Sequence, residues 1–199
     1  MPNAISALRI ALVPVWVLLA ERARPSAHDL EHPGAAADLS QLAALAVLAL
    51  IGLSDVVDGF LARRYGLATQ FGATLDAVAD KLTQVVLVTW LALRPGAHDD
   101  FRFAALPLWF LGLLIARDAV LLGGSLALRR ARGRVVVVHR YHGRLASVLL
   151  FALLLGVCAG LRGAGLQVWV AGCAAVTAVS TALYVRDGLA QLRGEPAPG

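Results

Sequence analysis

Within residues 55–81, which read DVVDGFLARRYGLATQFGATLDAVADK, four carboxylates recur at helical spacing: Asp55, Asp58, Asp76 and Asp80. Asp55 and Asp58 are three apart and Asp76 and Asp80 four apart, and either interval puts both members of a pair on one face of a helix. Gly66 and Gly72, with Thr69 and Gln70 between them, let the chain turn and present the two pairs to each other. Four convergent carboxylates make an all-oxygen donor set, which suits hard divalent cations, Mg2+ or Mn2+, rather than zinc. Two such ions would neutralise four acids. That matters because the flanking segments are apolar, and an aspartate at the centre of a membrane helix costs roughly 2.5–3.5 kcal/mol, so four idle ones would cost on the order of 10 kcal/mol. Helix capping, or pairing with Arg63, Arg64 and Lys81, is the bland alternative. It accounts for one acid per helix end but not for paired spacing on both sides of the turn.

Small residues border the acids. Gly59 follows Asp58, and Ala62 precedes Arg63, so one helix face beside the carboxylates carries little side-chain bulk. Glycine costs about 1 kcal/mol relative to alanine inside a helix, and close approach of a ligand is one reason to bear that cost. Tight packing of a second helix explains Gly59 and Ala62 alone equally well. Adding Arg63, a guanidinium suited to phosphate, turns the group into a candidate pyrophosphate site.

The elements that must hold this stretch are apolar. Of the 199 residues 59% are hydrophobic, with a mean hydropathy of +0.73, beyond the range of ordinary soluble domains. The formal net charge is +5 and Lys81 is the only lysine, so the positive charge is almost all arginine. With the length given to lipid-compatible segments, membrane phosphates fit this charge better than nucleic acid does. We expect an all-α, integral membrane bundle of six transmembrane helices, one domain over residues 1–199. The spans fall at residues 1–20, 39–53 continuing through Asp58 and Ala62, 77–93, 103–128, 145–161 and 166–185, each near the about 20 residues a bilayer needs. The first is expected to be a retained helix rather than a signal peptide, because Arg9 lies well inside it and no small-x-small cleavage site follows; Pro14 is expected to kink it. Residues 21–38 and 94–102 read as loops, and so does the VVVV run at 135–138. Arg63 and Arg64 follow span two, and Arg129, Arg130, Arg132, Arg134, Arg140 and Arg144 follow span four. By the positive-inside rule that side, with both termini and the aspartates, is cytoplasmic, in a bacterial-type inner or plasma membrane.

Cys158 and Cys173 lie in apolar runs without a CxxC or histidine partner and read as small buried hydrophobes. Trp16, Trp90, Trp109 and Trp169 read as interface anchors or lipid-facing packing. His139 and His142 flank Arg140 three residues apart; a solvated loop touching anionic lipid is preferred to a metal or phosphate site.

Taken together, Asp55, Asp58, Gly59, Ala62, Arg63, Gly72, Asp76 and Asp80 fill every fixed position of D-x2-D-G-x2-A-R-x8-G-x3-D-x3-D, and the chain resembles the CDP-alcohol phosphatidyltransferases. The opening PNAISALRIALVPVWV is similar to the first helix of the phosphatidylglycerophosphate synthase and CMP-forming cardiolipin synthase branch. The resemblance implies transfer of a phosphatidyl group from CDP-diacylglycerol to an alcohol or phospholipid acceptor, release of CMP, two Mg2+ or Mn2+ ions, a cytoplasm-facing cavity and a homodimer. It implies metal ligation by Asp55, Asp58, Asp76 and Asp80, a general-base role for Asp80, donor contacts from Gly59, Arg63 and Thr69, and room for the donor at Ala62 and Gly72. Arg117 and Asp118 lie deep in the fourth span, where charge is expensive. Arg117 is expected to bind the acceptor phosphate, the alternative being a structural pair with an acid on another helix. Its Arg-Asp context looks more like cardiolipin synthases, which puts phosphatidylglycerol slightly ahead of glycerol 3-phosphate as acceptor. Arg144 keeps the charge of the family's Gly-Lys-x-x-Thr element, which here reads Gly143, Arg144, Leu145, Ala146, Ser147. A divalent-cation or proton transporter would also need acids in a membrane, but spread along a path through several helices. An aspartate-motif prenyltransferase would not need the DG-x2-AR element.

Overall fold

Long apolar runs with few glycines or prolines inside them fold as helices in the computed structural model, which describes residues 2–23, 39–65, 70–93, 103–132 and 141–193. The described residues form six helices and no strand: α1 (Pro2–Arg22), α2 (Leu39–Tyr65), α3 (Gln70–Leu93), α4 (Leu108–Arg132), α5 (Tyr141–Cys158) and α6 (Gly163–Arg193). The all-α expectation therefore holds. Of the loop expected at 21–38, Glu21 and Arg22 instead belong to α1; residues 24–38, the loop expected at 94–102 and the valine run at 135–138 lie outside the described residues.

Several boundaries differ from the sequence reading, each for a local reason. The fourth helix starts at Leu108, not 103, because Pro107 disfavours helical backbone at Leu106. Leu106 N–H instead bonds the carbonyl of Leu91 at 3.2 Å, and the Pro107 carbonyl accepts from Phe110 N–H at 3.0 Å to open α4. The same helix continues to Arg132, taking in Arg129 and Arg130 that were expected in a connection. The fifth ends at Cys158, short of 161: Gly160 adopts φ 98°, its N–H bonds the Val157 carbonyl, and Leu161 N–H bonds the Gly156 carbonyl at 2.8 Å. That pair of bonds is a Schellman stop, and a side chain at position 160 would be strained. The last helix runs eight residues past the expected end at 185. α1 continues through Pro14 as one helix.

The chain divides into two compact units, Met1–Leu106 with Leu154–Gly163, and Pro107–Leu153 with Ala164–Gly199. In the first, α1 packs on both α2 and α3. Each of the three presents one buried row at helical spacing: Arg9, Val13, Trp16 and Ala20 on α1; Gln41, Ala44, Leu48 and Ile51 on α2; Ala79, Thr83, Leu87 and Leu91 on α3. Trp16, fully buried, meets Trp90 edge-on at 5.4 Å and stacks on Phe103 at 6.1 Å. Trp16 is thus a core residue, correcting the interface reading. Trp90 also donates to Glu21 at 2.7 Å. The Gln41 amide donates to the Cys158 carbonyl at 3.1 Å, satisfying a carbonyl that the end of α5 leaves open.

In the second unit the buried row of α6 runs Leu166, Val170, Cys173, Thr177, Ser180 and Asp187, apolar at one end and polar at the other. Both cysteines are buried and free, as expected. Large apolar side chains stand on the outside instead, among them Leu108, Trp109, Ile115, Leu122, Val168 and Val179. Among the described residues α4 and α6 are long and apolar enough to cross a membrane, and α2 and α5 carry shorter apolar stretches. An apolar exterior of this extent suits lipid, which does not penalise it as water does.

Candidate functional site

The two aspartate pairs occupy the facing ends of two consecutive helices. A four-residue link, 66–69, separates Tyr65 from Gln70. Such a link spans at most about 19 Å, far less than the roughly 40 Å length of α2, so the end of α2 and the start of α3 lie together. α2 ends at Tyr65 and α3 begins at Gln70, so Gly72, expected within the turn, is inside α3. Asp58 is seven residues before the end of α2 and Asp76 six after the start of α3, while Asp55 and Asp80 are each ten from those ends. At 1.5 Å per residue the pairs sit at matched depths, about 10 Å and about 15 Å from the turn.

Helical register also decides which face carries them. The buried row of α2, Gln41, Ala44, Leu48, Ile51, continues at the same spacing through Asp55, Asp58 and Ala62, with Gly59 adjoining. On α3 the row formed by Ala79, Thr83 and Leu87 extends back to Asp76 and Gly72. Asp80 borders that row; its side chain is exposed and engaged in a polar interaction, and neighbouring Lys81 is half-buried and likewise engaged. The Thr83 hydroxyl donates to the Ala79 carbonyl at 2.8 Å, so it makes no demand on the acids. By spacing alone, a row that is apolar along most of its length therefore reaches carboxylate positions towards one end on both helices. The side chains of Asp55, Asp58, Gly59, Ala62, Arg63, Gly72, Asp76 and Arg144, and the whole of Thr69 and His139, lie outside the described set, as does the side chain of His142. The donor chemistry of the two rows, carboxylate oxygens in register, fits hard divalent cations.

The sequence profile of the CDP-alcohol phosphatidyltransferase family matches residues 1–181. The chain belongs to this family. Similar proteins include the CMP-forming cardiolipin synthase of Streptomyces coelicolor, 36% identical over 126 residues that cover 61% of this chain and 47% of the relative. A putative cardiolipin synthase of Mycobacterium tuberculosis is 30% identical over 161 residues, 79% of this chain and 65% of the relative. The CDP-diacylglycerol–glycerol-3-phosphate 3-phosphatidyltransferase of Pseudomonas fluorescens is 38% identical over 95 residues, 48% and 42% respectively. The chain spans between about two-fifths and two-thirds of the length of these relatives. Membership of a membrane-enzyme family, with the apolar α4 and α6, places this chain at a membrane.

A second constellation lies wholly within the other unit. Arg117 on α4 is 9% exposed, and its Nε is buried without a hydrogen-bond partner. It lines an open groove of about 620 Å³ between α4 and α6, with Val120, Ala178, Thr181, Val185 and Arg186 among the other walls. The groove is apolar apart from its arginines and the Thr181 hydroxyl, and that hydroxyl is spent on the Thr177 carbonyl at 2.8 Å. Arg186 lies 3.5 Å from Asp187, whose side chain is buried. Asp118, beside Arg117, is half-buried and engaged in a polar interaction. Two of the buried charged residues, Arg9 and Asp187, were not among the sequence candidates. The signal for Arg9 was available, since a charge inside an apolar segment is functional by default; Asp187 lies past the apolar run, next to Arg186, and gave no such signal.

Proposed function

We propose that the protein transfers a phosphatidyl group from CDP-diacylglycerol to an alcohol acceptor, releasing CMP, in the synthesis of an anionic phospholipid, acting as one domain over residues 1–199. What supports this reading is the family match over residues 1–181 together with the complete signature, whose aspartates stand at matched distances from the neighbouring ends of α2 and α3. Asp55, Asp58, Asp76 and Asp80 hold the metal, and two Mg2+ or Mn2+ ions, when bound, offset negative charge on the diphosphate and on the leaving CMP. Asp80 is the general base. The acceptor oxygen attacks the phosphorus that carries the diacylglycerol, the new P–O bond forms as the bridging P–O bond to CMP breaks, the electron pair departs on CMP, and the hydroxyl proton passes to the Asp80 carboxylate. Gly59, Ala62 and Gly72 leave room for the donor, and Arg63 and Thr69 contact it. Arg117 and Arg144 bind the acceptor phosphate.

Phosphatidylglycerol, giving cardiolipin, is favoured as acceptor over glycerol 3-phosphate. The apolar groove beside Arg117 supports this, since a soluble glycerol phosphate has no use for such walls. Relatives named for each activity are consistent with either. The working form is a six-span homodimer, with the carboxylates and both termini on the cytoplasmic side.

The test is CMP release from CDP-diacylglycerol and Mg2+ with both acceptors offered together, the products being weighed by mass spectrometry. Cardiolipin is the expected product, and Asp80→Asn is expected to lower kcat about 10²- to 10⁴-fold, the usual range for loss of a general base. Normal turnover in that variant would remove the base from Asp80. Absence of CMP with either acceptor would overturn phosphatidyl transfer and favour cation or proton transport.

A further inference from the structure

Arg9 is the one charged residue fully buried in the first unit among the described residues, at 1% exposure. Arg9 is engaged in a polar interaction there, but a guanidinium withdrawn from water costs several kcal/mol unless anions surround it, so its place in the core needs a reason. Its row supplies one. Arg9 stands on the same face of α1 as Val13, Trp16 and Ala20, the face that packs against α2 and α3. The contact of Trp16 with Trp90 sets the register between α1 and α3. Stepping back by equal intervals pairs Val13 with Leu87 and Arg9 with Thr83, all buried; in the opposite sense Arg9 would lie past the end of α3 at Leu93 and Ala79 past the end of α1 at Arg22, so the burial of Arg9 and Ala79 favours two helices that run in the same direction. Helical side chains slant towards the N-terminus, and an extended arginine reaches about a turn, which brings the Arg9 guanidinium to the level of Asp80. Asp55 lies at that same depth from the turn between α2 and α3.

Charge balance then indicates what the arginine serves. Four carboxylates and two divalent cations cancel, so the diphosphate of a bound donor brings two uncompensated negative charges into a low-dielectric site. Arg63 offsets one. We infer that Arg9 offsets the other: it is a donor-positioning residue, contributed by a third helix, that binds the diphosphate of the CDP-linked lipid. This rests on the phosphatidyl-transfer reading above. The role strengthens as the reaction proceeds, because CMP leaves with an additional charge on its phosphate.

The experiment compares full-length wild type, Arg9→Met and Arg9→Lys in detergent micelles with Mg2+, measuring CMP release while CDP-diacylglycerol and phosphatidylglycerol are varied in turn. Loss of a charge-assisted hydrogen bond predicts a donor KM raised about 10- to 100-fold in Arg9→Met, an acceptor KM within twofold of wild type, and partial recovery in Arg9→Lys. Thermal stabilisation by CDP-diacylglycerol with Mg2+, seen in wild type, is expected to be lost in Arg9→Met. An unchanged donor KM, or equal losses for donor and acceptor, overturns the inference. If Arg9→Met does not fold, Arg9→Lys decides alone: a selective rise in donor KM supports the role, and unchanged constants refute it. Wild type that releases no CMP would instead sink the activity itself.

Discussion

Arg117 concentrates the acceptor question on a single side chain. Its buried Nε has no hydrogen-bond partner, so the structural-pair alternative raised by its position in an apolar helix finds no support among the described residues. Replacing it with leucine removes the charge and keeps the apolar packing. Arg117→Leu is expected to raise the acceptor KM about 10- to 100-fold while the donor KM stays within twofold, measured by CMP release under saturating partner substrate. A shift in the donor constant instead would assign Arg117 to the other half of the reaction. At this scale the sequence was informative wherever chemistry forced a rare choice of residue. Asp55, Asp58, Asp76 and Asp80 announced themselves by charge in an apolar chain, as did Arg117. Arg9, well inside the first segment, carried the same signal, but the sequence offers it no partner and only packing reveals it as core. The tryptophans divide in the same way: Trp109 and Trp169 are exposed, while Trp16 is not, because only contact with Trp90 and Phe103 distinguishes a packed indole from a lipid-facing one.

α1 packs on α2 and α3 in the first unit, and an aromatic cluster ties α1 to α3. Trp16, Trp90 and Phe103 join α1, the end of α3 and the segment before α4. Trp16→Ala would leave a cavity in that cluster, and truncations of this size destabilise by about 3–5 kcal/mol. A lower thermal midpoint in detergent is expected, and an unchanged midpoint would mean that the cluster does not hold the helices in register. Helix existence was legible because apolar runs of about 20 residues have few other ways to satisfy their backbone. Helix ends were less so. α5 stops three residues early through backbone bonds around Gly160, and α4 starts five residues late at Pro107; α6 continues past 185 through a polar segment that hydropathy treats as tail. Each boundary was settled by hydrogen bonding or a fixed φ rather than by hydrophobicity.

For the whole molecule the expectation is membrane integration. α4 and α6 present leucine, valine and tryptophan to the outside over most of their length, and water would penalise that surface at about 25 cal/mol for each Å². The protein is therefore expected in the membrane fraction and to resist extraction by alkaline carbonate, coming into solution only with detergent. Recovery in the carbonate supernatant would contradict an integral protein. Scanning which engineered cysteines in residues 94–102 and 133–140 react with an impermeant reagent in intact cells tests the orientation. Labelling of the first loop from outside, with protection of the second, is the pattern expected of six spans with cytoplasmic termini.

By itself the sequence determined the helical class, the apolar exterior, the family and the identity of the four acids, because each depends on composition or on spacing along one chain. Tertiary structure alone decided that the rows which lead by helical spacing to Asp55, Asp58 and Asp76 are the buried rows of α2 and α3. It also decided that Trp16 lies in a core, that Arg117 lines a groove, and that Arg9 from a distant helix shares the inward face of the first unit. Which face of a helix is inside is settled by what packs on it. Spacing within one segment gives the stripe, but only the neighbouring helix says which way the stripe looks.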